Sequence, residues 1–320
     1  MDSNLLSSVV TNLSKTPGPE VEVNITSGPI TESVLFVTSF ANDMYKMTGK
    51  RLVDSFLKFQ HESGQRLLVC YENFDFQVPK DEAERILAYP LHESEYLQQW
   101  LLDNAEIIPD YLGGQATKAS NPVLFTNSWN RKSSRWFRKI AALEYALREY
   151  QEDYHHIIWL DSDVYFFKTL PINTLLRQFN EDKKANQRTD KVKGVTKINT
   201  DRKEIKIHSG AFYNLGTFRL RKDIGFESGV IGFRKLYNGY ELLSLVIECF
   251  KNGSFRQYKR WDDGYIFRMI MRDHNPDPLK YPVRDLVVSP KAKGEVITSG
   301  PLGPYFIHCK GSHTKKKIMI

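Results

Sequence analysis

Apolar runs and amphipathic stretches alternate along the first half of the chain. Residues 34–40 and 66–72 are largely apolar, β-branched and aromatic, which is typical of buried parallel strands. The stretch between them, 44–62, has apolar residues at helical spacing. A strand, a helix and a strand in succession form a right-handed crossover, so this pattern predicts a parallel sheet.

Two further helices and a third strand are predicted next. The helices cover 81–105 and 134–150, and either Ser133 or Ser134 is the expected cap of the second. A short apolar strand follows at 157–160. Strands that alternate with helices predict an α/β fold, with a mixed, mainly parallel central sheet flanked by helices.

The second half of the chain has a weaker pattern. Residues 181–206 combine many lysines and arginines with few large apolar residues, which predicts a mobile loop or a long exposed hairpin. A strand is predicted at 230–233, and helices are predicted at 240–250 and 263–272. A basic tail occupies 310–317.

Composition narrows the class of protein without choosing a function. The 320 residues are 41% hydrophobic and 26% charged, an ordinary globular profile. The net charge of +7 suits an anionic partner, such as a nucleotide diphosphate, nucleic acid or a membrane surface. Three widely spaced cysteines without a CxxC motif argue against a disulfide framework or a zinc cluster.

Targeting signals are not expected from the pattern. The first 30 residues lack a basic segment followed by an apolar core, and no run of about 18 apolar residues occurs. We therefore expect a cytoplasmic protein without a signal peptide or a membrane span.

The strand predicted at 157–160 runs directly into Asp161-Ser162-Asp163. Residues two apart on an extended segment project to the same side, so both carboxylates should leave the carboxyl end of the strand together. Paired carboxylates are costly without a compensating cation, and oxygen ligands suit Mg²⁺ or Mn²⁺. Such an ion would hold a diphosphate, whereas the alternative reading is a loop with two solvated aspartates.

Four segments, in order, resemble glycosyltransferase family eight, the glycogenin-like and bacterial galactosyltransferase-like group of GT-A-fold enzymes. The resemblance covers roughly residues 33–317. Its motifs are Asp161-Ser162-Asp163, then Glu227-Ser228-Gly229-Val230, then Asp262-Asp263-Gly264, then His308-Cys309-Lys310-Gly311 with Lys315 downstream. Glu227 stands where the group usually has Asn, and Asp263 stands where it usually has Gln.

The resemblance implies a metal site and a donor site. Asp161, Asp163 and His308 would bind Mn²⁺, or Mg²⁺, with a UDP-sugar as the donor substrate. Asp161 could instead contact the donor ribose. The remaining donor-binding residues would be Thr38, Ser39, Arg135, Arg138, Ser228, Gly229, Gly311 and Lys315.

Individual donor contacts are expected as follows. Thr38 and Ser39 would contact the base. Arg135 or Arg138, which share a helix face, would reach the diphosphate or the sugar. The Ser228-Gly229 segment would pass close to the sugar, where only small residues fit. In the C-terminal segment, Gly311 would let the backbone approach a phosphate. Lys315 would contact the β-phosphate, with Lys310, Lys316 or Lys317 as alternatives.

Three carboxylates are candidates for the catalytic step: Glu227, Asp262 and Asp263. One would act as a general base in an inverting enzyme, or would stabilise an oxocarbenium-like transition state in a retaining one. The alternative for Glu227 and Asp263 is a salt bridge to a nearby arginine, such as Arg260.

The resulting domain interpretation is a leader followed by one enzyme domain. Residues 1–30 would be a poorly ordered leader or an edge element, and 31–320 a GT-A domain. Its nucleotide-sugar-binding half would be 31–165, and its acceptor-side half 166–320, with the basic 181–206 loop and the C-terminal tail.

The predicted activity is metal-dependent transfer of a hexose from a UDP-sugar to an acceptor hydroxyl on a glycan or protein. A first alternative is DNA glycosylation at a hydroxylated base, because the basic segments could follow a phosphate backbone and the base could be flipped out. A second is a non-catalytic nucleic-acid-binding protein. A third, a nucleotidyltransferase that releases pyrophosphate, is disfavoured by the segments around Ser228 and His308.

Overall fold

The computed structural model describes residues 33–61, 64–105, 108, 130–171, 198–200, 203–205, 214–216, 228–235, 238–274, 283–285 and 302–309. Several sequence predictions lie outside this part of the chain: the leader at 1–30, Glu227, Gly311, Lys315, the basic tail at 310–317 and most of the 181–206 segment.

The described strands and helices alternate along the chain. The strands are β1 Val34–Ala41, β2 Gln65–Glu72, β3 Ile86–Pro90, β4 His156–Leu160, β5 Val164–Phe166, β6 Ile198–Thr200, β7 Lys203–Ile205, β8 Asn214–Gly216, β9 Val230–Arg234, β10 Val283–Asp285 and β11 Phe306–His308. The helices are α1 Asn42–Met44, α2 Lys50–Phe59, α3 Glu95–Asn104, α4 Ser133–Tyr150, α5 Gly239–Lys251 and α6 Asp263–His274, with a π-helical turn at Tyr45–Gly49.

Seven of the described strands form one sheet in the order β10-β8-β9-β4-β1-β2-β3. Strand β1 pairs in parallel with β2 and with β4, and β3 continues the parallel order from β2. Strand β9 is antiparallel to both β4 and β8. The predicted mixed, mainly parallel sheet flanked by helices is therefore confirmed.

The core lies on both faces of the sheet, and β1 is buried on each. Leu35 and Val37 pack in the cluster that contains α4, whereas Phe36 packs in the cluster that contains Phe56 of α2. Because strand side chains alternate between faces, a strand covered on both sides needs apolar residues at every position. This explains why the 34–40 run was recognisable as a strand.

One predicted helix is wrong over much of its length. Within the predicted 81–105 helix, Ile86–Pro90 forms strand β3, paired in parallel with β2. The helix begins only at Glu95, where the hydroxyl of Ser94 accepts a hydrogen bond from the Leu97 amide at 3.2 Å. Among the described strands β3 is at the edge of the sheet, where Pro90 is tolerated although it cannot donate to a ladder.

The helix at 134–150 is confirmed, but its cap is not the predicted one. Helix α4 begins at Ser133, and Lys132 occupies the cap position without a side-chain hydrogen bond. The Ser133 hydroxyl instead donates to the carbonyl of Asn130. Near the end of the basic 181–206 segment, β6 and β7 form a short antiparallel hairpin, whereas 181–197 lies outside the described residues, so the predicted mobile loop or long hairpin stays a prediction. None of the helices described is both long and apolar enough to cross a membrane.

Candidate functional site

Backbone topology brings the three predicted metal ligands together at the carboxyl end of β4. Asp161 follows the last residue of β4, and its amide donates to the carbonyl of Gly229 at 2.8 Å. The chain then turns into β5, which pairs with β11 so that Val164 lies opposite His308. The amide of Cys309 also donates to the carbonyl of Asp163 at 2.9 Å. The ligand positions are thus fixed by main-chain contacts.

The side chains of these residues meet closely enough to hold one ion. The His308 Nε2 atom lies 3.2 Å from Asp163 Oδ1 and 3.8 Å from Asp161 Oδ2. One ligand atom from each residue lies within 4.8 Å of the others. His308 is 3% exposed and the Asp161 side chain is 31% exposed, so the cluster is buried on one side and open on the other. Two carboxylates and one imidazole suit a divalent ion such as Mn²⁺.

Lys139 is a member of this cluster that the sequence reading missed. Its ammonium lies 2.9 Å from Asp161 and 2.6 Å from Asp263, and donates to the carbonyl of Ser228 at 2.8 Å. Burial alone would lower the pKa of Lys139, but the charges of Asp161 and Asp263 outweigh it and raise the pKa. The side chain therefore remains a cation. The sequence signal for Lys139 was its position directly before the apolar run that begins at Ile140, a run that the structure buries.

Asp161 is oriented from two sides. The indole N–H of Trp159, two residues earlier on β4, donates to Asp161 Oδ1 at 2.7 Å. Burial acts to raise the pKa of Asp161, yet the ammonium of Lys139, the imidazole of His308 and the hydrogen bond from Trp159 together hold the pKa below its usual value. Asp161 is therefore ionised and held in a fixed orientation, as its predicted role in metal binding requires.

The two described catalytic candidates have different surroundings. Asp262 accepts a hydrogen bond from the Tyr265 amide at 3.2 Å, as an N-cap of α6, and pairs with Arg260 at 2.8 Å. Burial, followed by the charge of Asp263, raises the pKa of Asp262. Asp263 is 2% exposed and pairs with Lys139. Of the two, Asp263 is the one that joins the cluster, through Lys139. The sequence alternative for Asp263 was a salt bridge to an arginine, whereas the structure pairs it with a lysine.

An open cavity adjoins the cluster, above the carboxyl ends of β1, β2 and β4. Its lining consists of Ser39, Phe40, Ala41, Asp43, Met44, Glu72, Arg135, Trp136, Arg138, Lys139, Trp159, Asp161, Ser162 and Asp163. The cavity therefore lies where open α/β sheets bind ligands, between the first strand and the metal cluster.

The predicted helix face of α4 does line this cavity, but its two arginines differ. Arg138 is 8% exposed, and its Nε lies 2.9 Å from the carboxylate of Glu72. Its Nη1 donates to the carbonyl of Ser134 at 2.9 Å. Arg135 is exposed at the cavity. Since Glu72 compensates the charge of Arg138, Arg135 is better placed to contact a diphosphate.

The two residues predicted to contact the base lie on opposite faces of β1. Ser39 is half-buried and lines the cavity. Thr38 is fully buried, and its hydroxyl has no hydrogen-bond partner among the described residues. Because neighbouring strand residues face opposite ways, Ser39 faces the cavity and Thr38 does not, and a contact of either residue with a base stays a prediction.

The predicted small-residue segment contacts the metal cluster through its backbone. Ser228 offers its carbonyl to Lys139, and Gly229 offers its carbonyl to the amide of Asp161. The missing side chain of Gly229 faces the imidazole of His308. The structure thus gives a reason for the glycine that differs from the predicted contact with a sugar.

No family model matches the chain, and no curated protein does. The fold is similar to the crystal structure of a glycosyltransferase involved in the glycosylation of the major capsid of PBCV-1, with 11% identity, a TM-score of 0.40, and coverage of 90% of this chain and 100% of that chain. It is also similar to apo mouse xyloside xylosyltransferase 1, with 12% identity, a TM-score of 0.39, and coverage of 80% and 85%. Values this low say nothing about reaction or substrate.

Proposed function

We propose that this protein is a metal-dependent glycosyltransferase that moves a hexose from a nucleotide-diphosphate sugar, with a UDP-sugar as the first candidate, to an acceptor hydroxyl on a glycan or protein. The observation that carries the proposal is the meeting of Asp161, Asp163 and His308 at the mouth of the cavity. These residues come from two distant parts of the sequence, and their carboxylate and imidazole groups match the needs of a metal–diphosphate site.

Asp161, Asp163 and His308 would hold Mn²⁺ or Mg²⁺. When bound, the ion would neutralise the negative charge that develops on the departing nucleoside diphosphate. Arg135 would add a second positive charge from the cavity wall, and Ser39 would contact the nucleoside at the end of β1.

Asp263 is the carboxylate that we assign to the reacting sugar. It is paired with the ammonium of Lys139, and a paired carboxylate gives up that contact when it takes a proton. An ionised carboxylate beside the sugar can instead stabilise positive charge in an oxocarbenium-like transition state. Asp263 is therefore better suited to electrostatic stabilisation than to general base catalysis. Lys139 would position Asp161 and Asp263 relative to each other.

The DNA-acceptor hypothesis stays a prediction. Most of the basic 181–206 segment on which it depends, and all of 310–317, lie outside the described residues. No described feature favours a DNA acceptor over a glycan or protein acceptor. Acceptor screening should nevertheless include glycans and hydroxymethylated DNA in parallel.

The donor site is tested by thermal shift with UDP-sugars and GDP-sugars, each with and without Mn²⁺. The wild type should show a rise in melting temperature that requires both nucleotide sugar and metal, because a ligand that binds only the folded state stabilises it. Asp163→Asn should abolish the rise. The matched control is Asp54→Asn, which alters an exposed aspartate paired with Lys50 and should leave the rise unchanged. Absence of any rise in the wild type would refute the proposal.

A further inference from the structure

We infer that Gly229 is a positioning residue of the metal centre, kept free of a side chain because the imidazole of His308 occupies the place of its Cβ. A Cβ built on Gly229 would lie 2.4 Å from His308 Cε1, 2.8 Å from Nδ1 and 3.0 Å from Nε2. Carbon atoms at non-bonded contact are about 3.5–4.0 Å apart, so even one methyl group would displace the ring. This inference rests on the proposed metal-dependent function.

Backbone conformation does not explain the glycine. Among the described residues, the glycines with positive φ are Gly64 and Gly253. Gly229 is outside that left-handed region, so its backbone is open to alanine. The remaining reason for a glycine at position 229 is the space that the ring of His308 occupies.

The ring of His308 has few ways to yield to an added methyl group. The residue is 3% exposed, and its Nε2 lies 3.2 Å from Asp163. Its backbone belongs to β11, paired with β5 at Val164. Gly229 is held in turn, because its carbonyl accepts the Asp161 amide and the next residue, Val230, pairs with β4. An alanine must therefore rotate the imidazole or separate β9 from β4.

Both responses would disturb the same group of atoms. Rotation of the ring moves Nε2 away from Asp163, and separation of the strands moves the carbonyl that holds Asp161. The adjacent Ser228 carbonyl, which accepts from Lys139, would move with it. We therefore assign Gly229 to the geometry of the metal ligands, and we expect its substitution to weaken metal binding directly.

The first test measures Mn²⁺ binding to the nucleotide-free protein. The spectroscopic signal of free Mn²⁺ is the readout. Gly229→Ala should weaken binding about 10–100-fold, the range seen when groups that orient metal ligands are changed. The matched control is Gly253→Ala. Gly253 has a φ of +76°, and the nearest atoms to a Cβ there would be 3.6 Å away, on the side chain of Arg256. This variant should lose stability through backbone strain and keep wild-type affinity for Mn²⁺.

The second test separates the clash from any other need for glycine. In metal-free buffer, Gly229→Ala should lower the melting temperature by at least about 3 °C, because overpacking a buried site is destabilising. In a His308→Ala background the same substitution should cost almost nothing, because the ring is gone. If Gly229→Ala does not fold alone, recovery of folding in the variant that also carries His308→Ala would equally show that the clash with the His308 ring is the reason for the glycine.

Either of two results would overturn the inference: wild-type Mn²⁺ affinity in Gly229→Ala, or an equal loss of melting temperature with and without His308. Failure of the wild type to bind Mn²⁺ or Mg²⁺ would instead defeat the proposed function. The melting temperatures without metal would still show whether Gly229 makes room for His308.

Discussion

Arg138 and Lys139 are neighbours on α4, and both are nearly buried, yet they serve opposite sides of the cavity. Arg138 is paired with Glu72 at the end of β2. Lys139 is paired with Asp161 and Asp263 on the β4 side. The first pair joins one cation to one carboxylate. The second belongs to a cluster with more negative than positive charge.

The difference in charge indicates where a cation belongs. Among the residues that the structure describes, the cluster joins Asp161, Asp163 and Asp263 to one ammonium and to the imidazole of His308. Within these five groups, the three carboxylates carry more negative charge than the ammonium and the imidazole can balance, whether the imidazole is neutral or protonated. Uncompensated buried charge is costly, and the divalent ion of the proposed function would compensate it on this side of the cavity. The Arg138–Glu72 side has no such excess within that pair.

The largest expected effects come from removing each cation. Arg138→Met and Lys139→Met should each lower the free energy of unfolding by about 3–5 kcal/mol, because each leaves buried carboxylates without their cation. Saturating Mn²⁺ should restore part of the loss in Lys139→Met, where the orphaned carboxylates adjoin the metal ligands. It should restore none in Arg138→Met. Denaturant unfolding with EDTA or Mn²⁺ measures both.

The control for this pair is Arg148→Met on the same helix. Arg148 pairs with Glu144, and its side chain is 55% exposed, so the change should stay within about 0.5 kcal/mol. Equal recovery by Mn²⁺ in Arg138→Met and Lys139→Met would show that the two sides of the cavity do not differ as described.

The next effect concerns the two adjacent carboxylates on the Lys139 side. Asp263→Asn should reduce the rate of sugar transfer about 100-fold or more, in the range found when one transition-state-stabilising group is removed. Asp262→Asn is the matched control. Its asparagine can still cap α6, and it touches Arg260 and not Lys139, so the rate should change little. Steady-state rates at saturating donor distinguish the two variants. A larger loss of rate in Asp262→Asn would assign Asp262, and not Asp263, to the reacting sugar.

The sequence predicted the elements whose signals are local. Strand β1 is apolar throughout because both of its faces are covered, and the Asp161–Asp163 spacing follows from strand geometry. Strand β3 was missed because the residues at 86–90 also fit a helical pattern, and only pairing with β2 makes them extended.

The relations that define the site are long-range, and sequence spacing does not encode them. Lys139 was not predicted as a site residue, because its partner Asp263 lies far along the chain on the last described helix. The reason for Gly229 depends on where β11 places the ring of His308. Motif resemblance brought Asp262, Asp263 and Gly229 into consideration, but the contacts of Lys139 with Asp161 and Asp263, and of Gly229 with His308, became visible only in three dimensions.

The smallest expected effect tests a third cation of the same helix, Arg135. Unlike Arg138 and Lys139 it is exposed at the cavity, and its guanidinium lies 5.6 Å from the ring of Trp136. Arg135→Met should weaken UDP-sugar binding about tenfold, the loss of one charge-assisted contact of about 1.5 kcal/mol. Stability should change by less than about 0.5 kcal/mol, because the side chain is exposed. Calorimetric titration with UDP-sugar and with uridine then locates the contact: a loss for the UDP-sugar alone places Arg135 on the diphosphate or the sugar. An equal loss for both would place it on the nucleoside and would move the diphosphate contact elsewhere along α4.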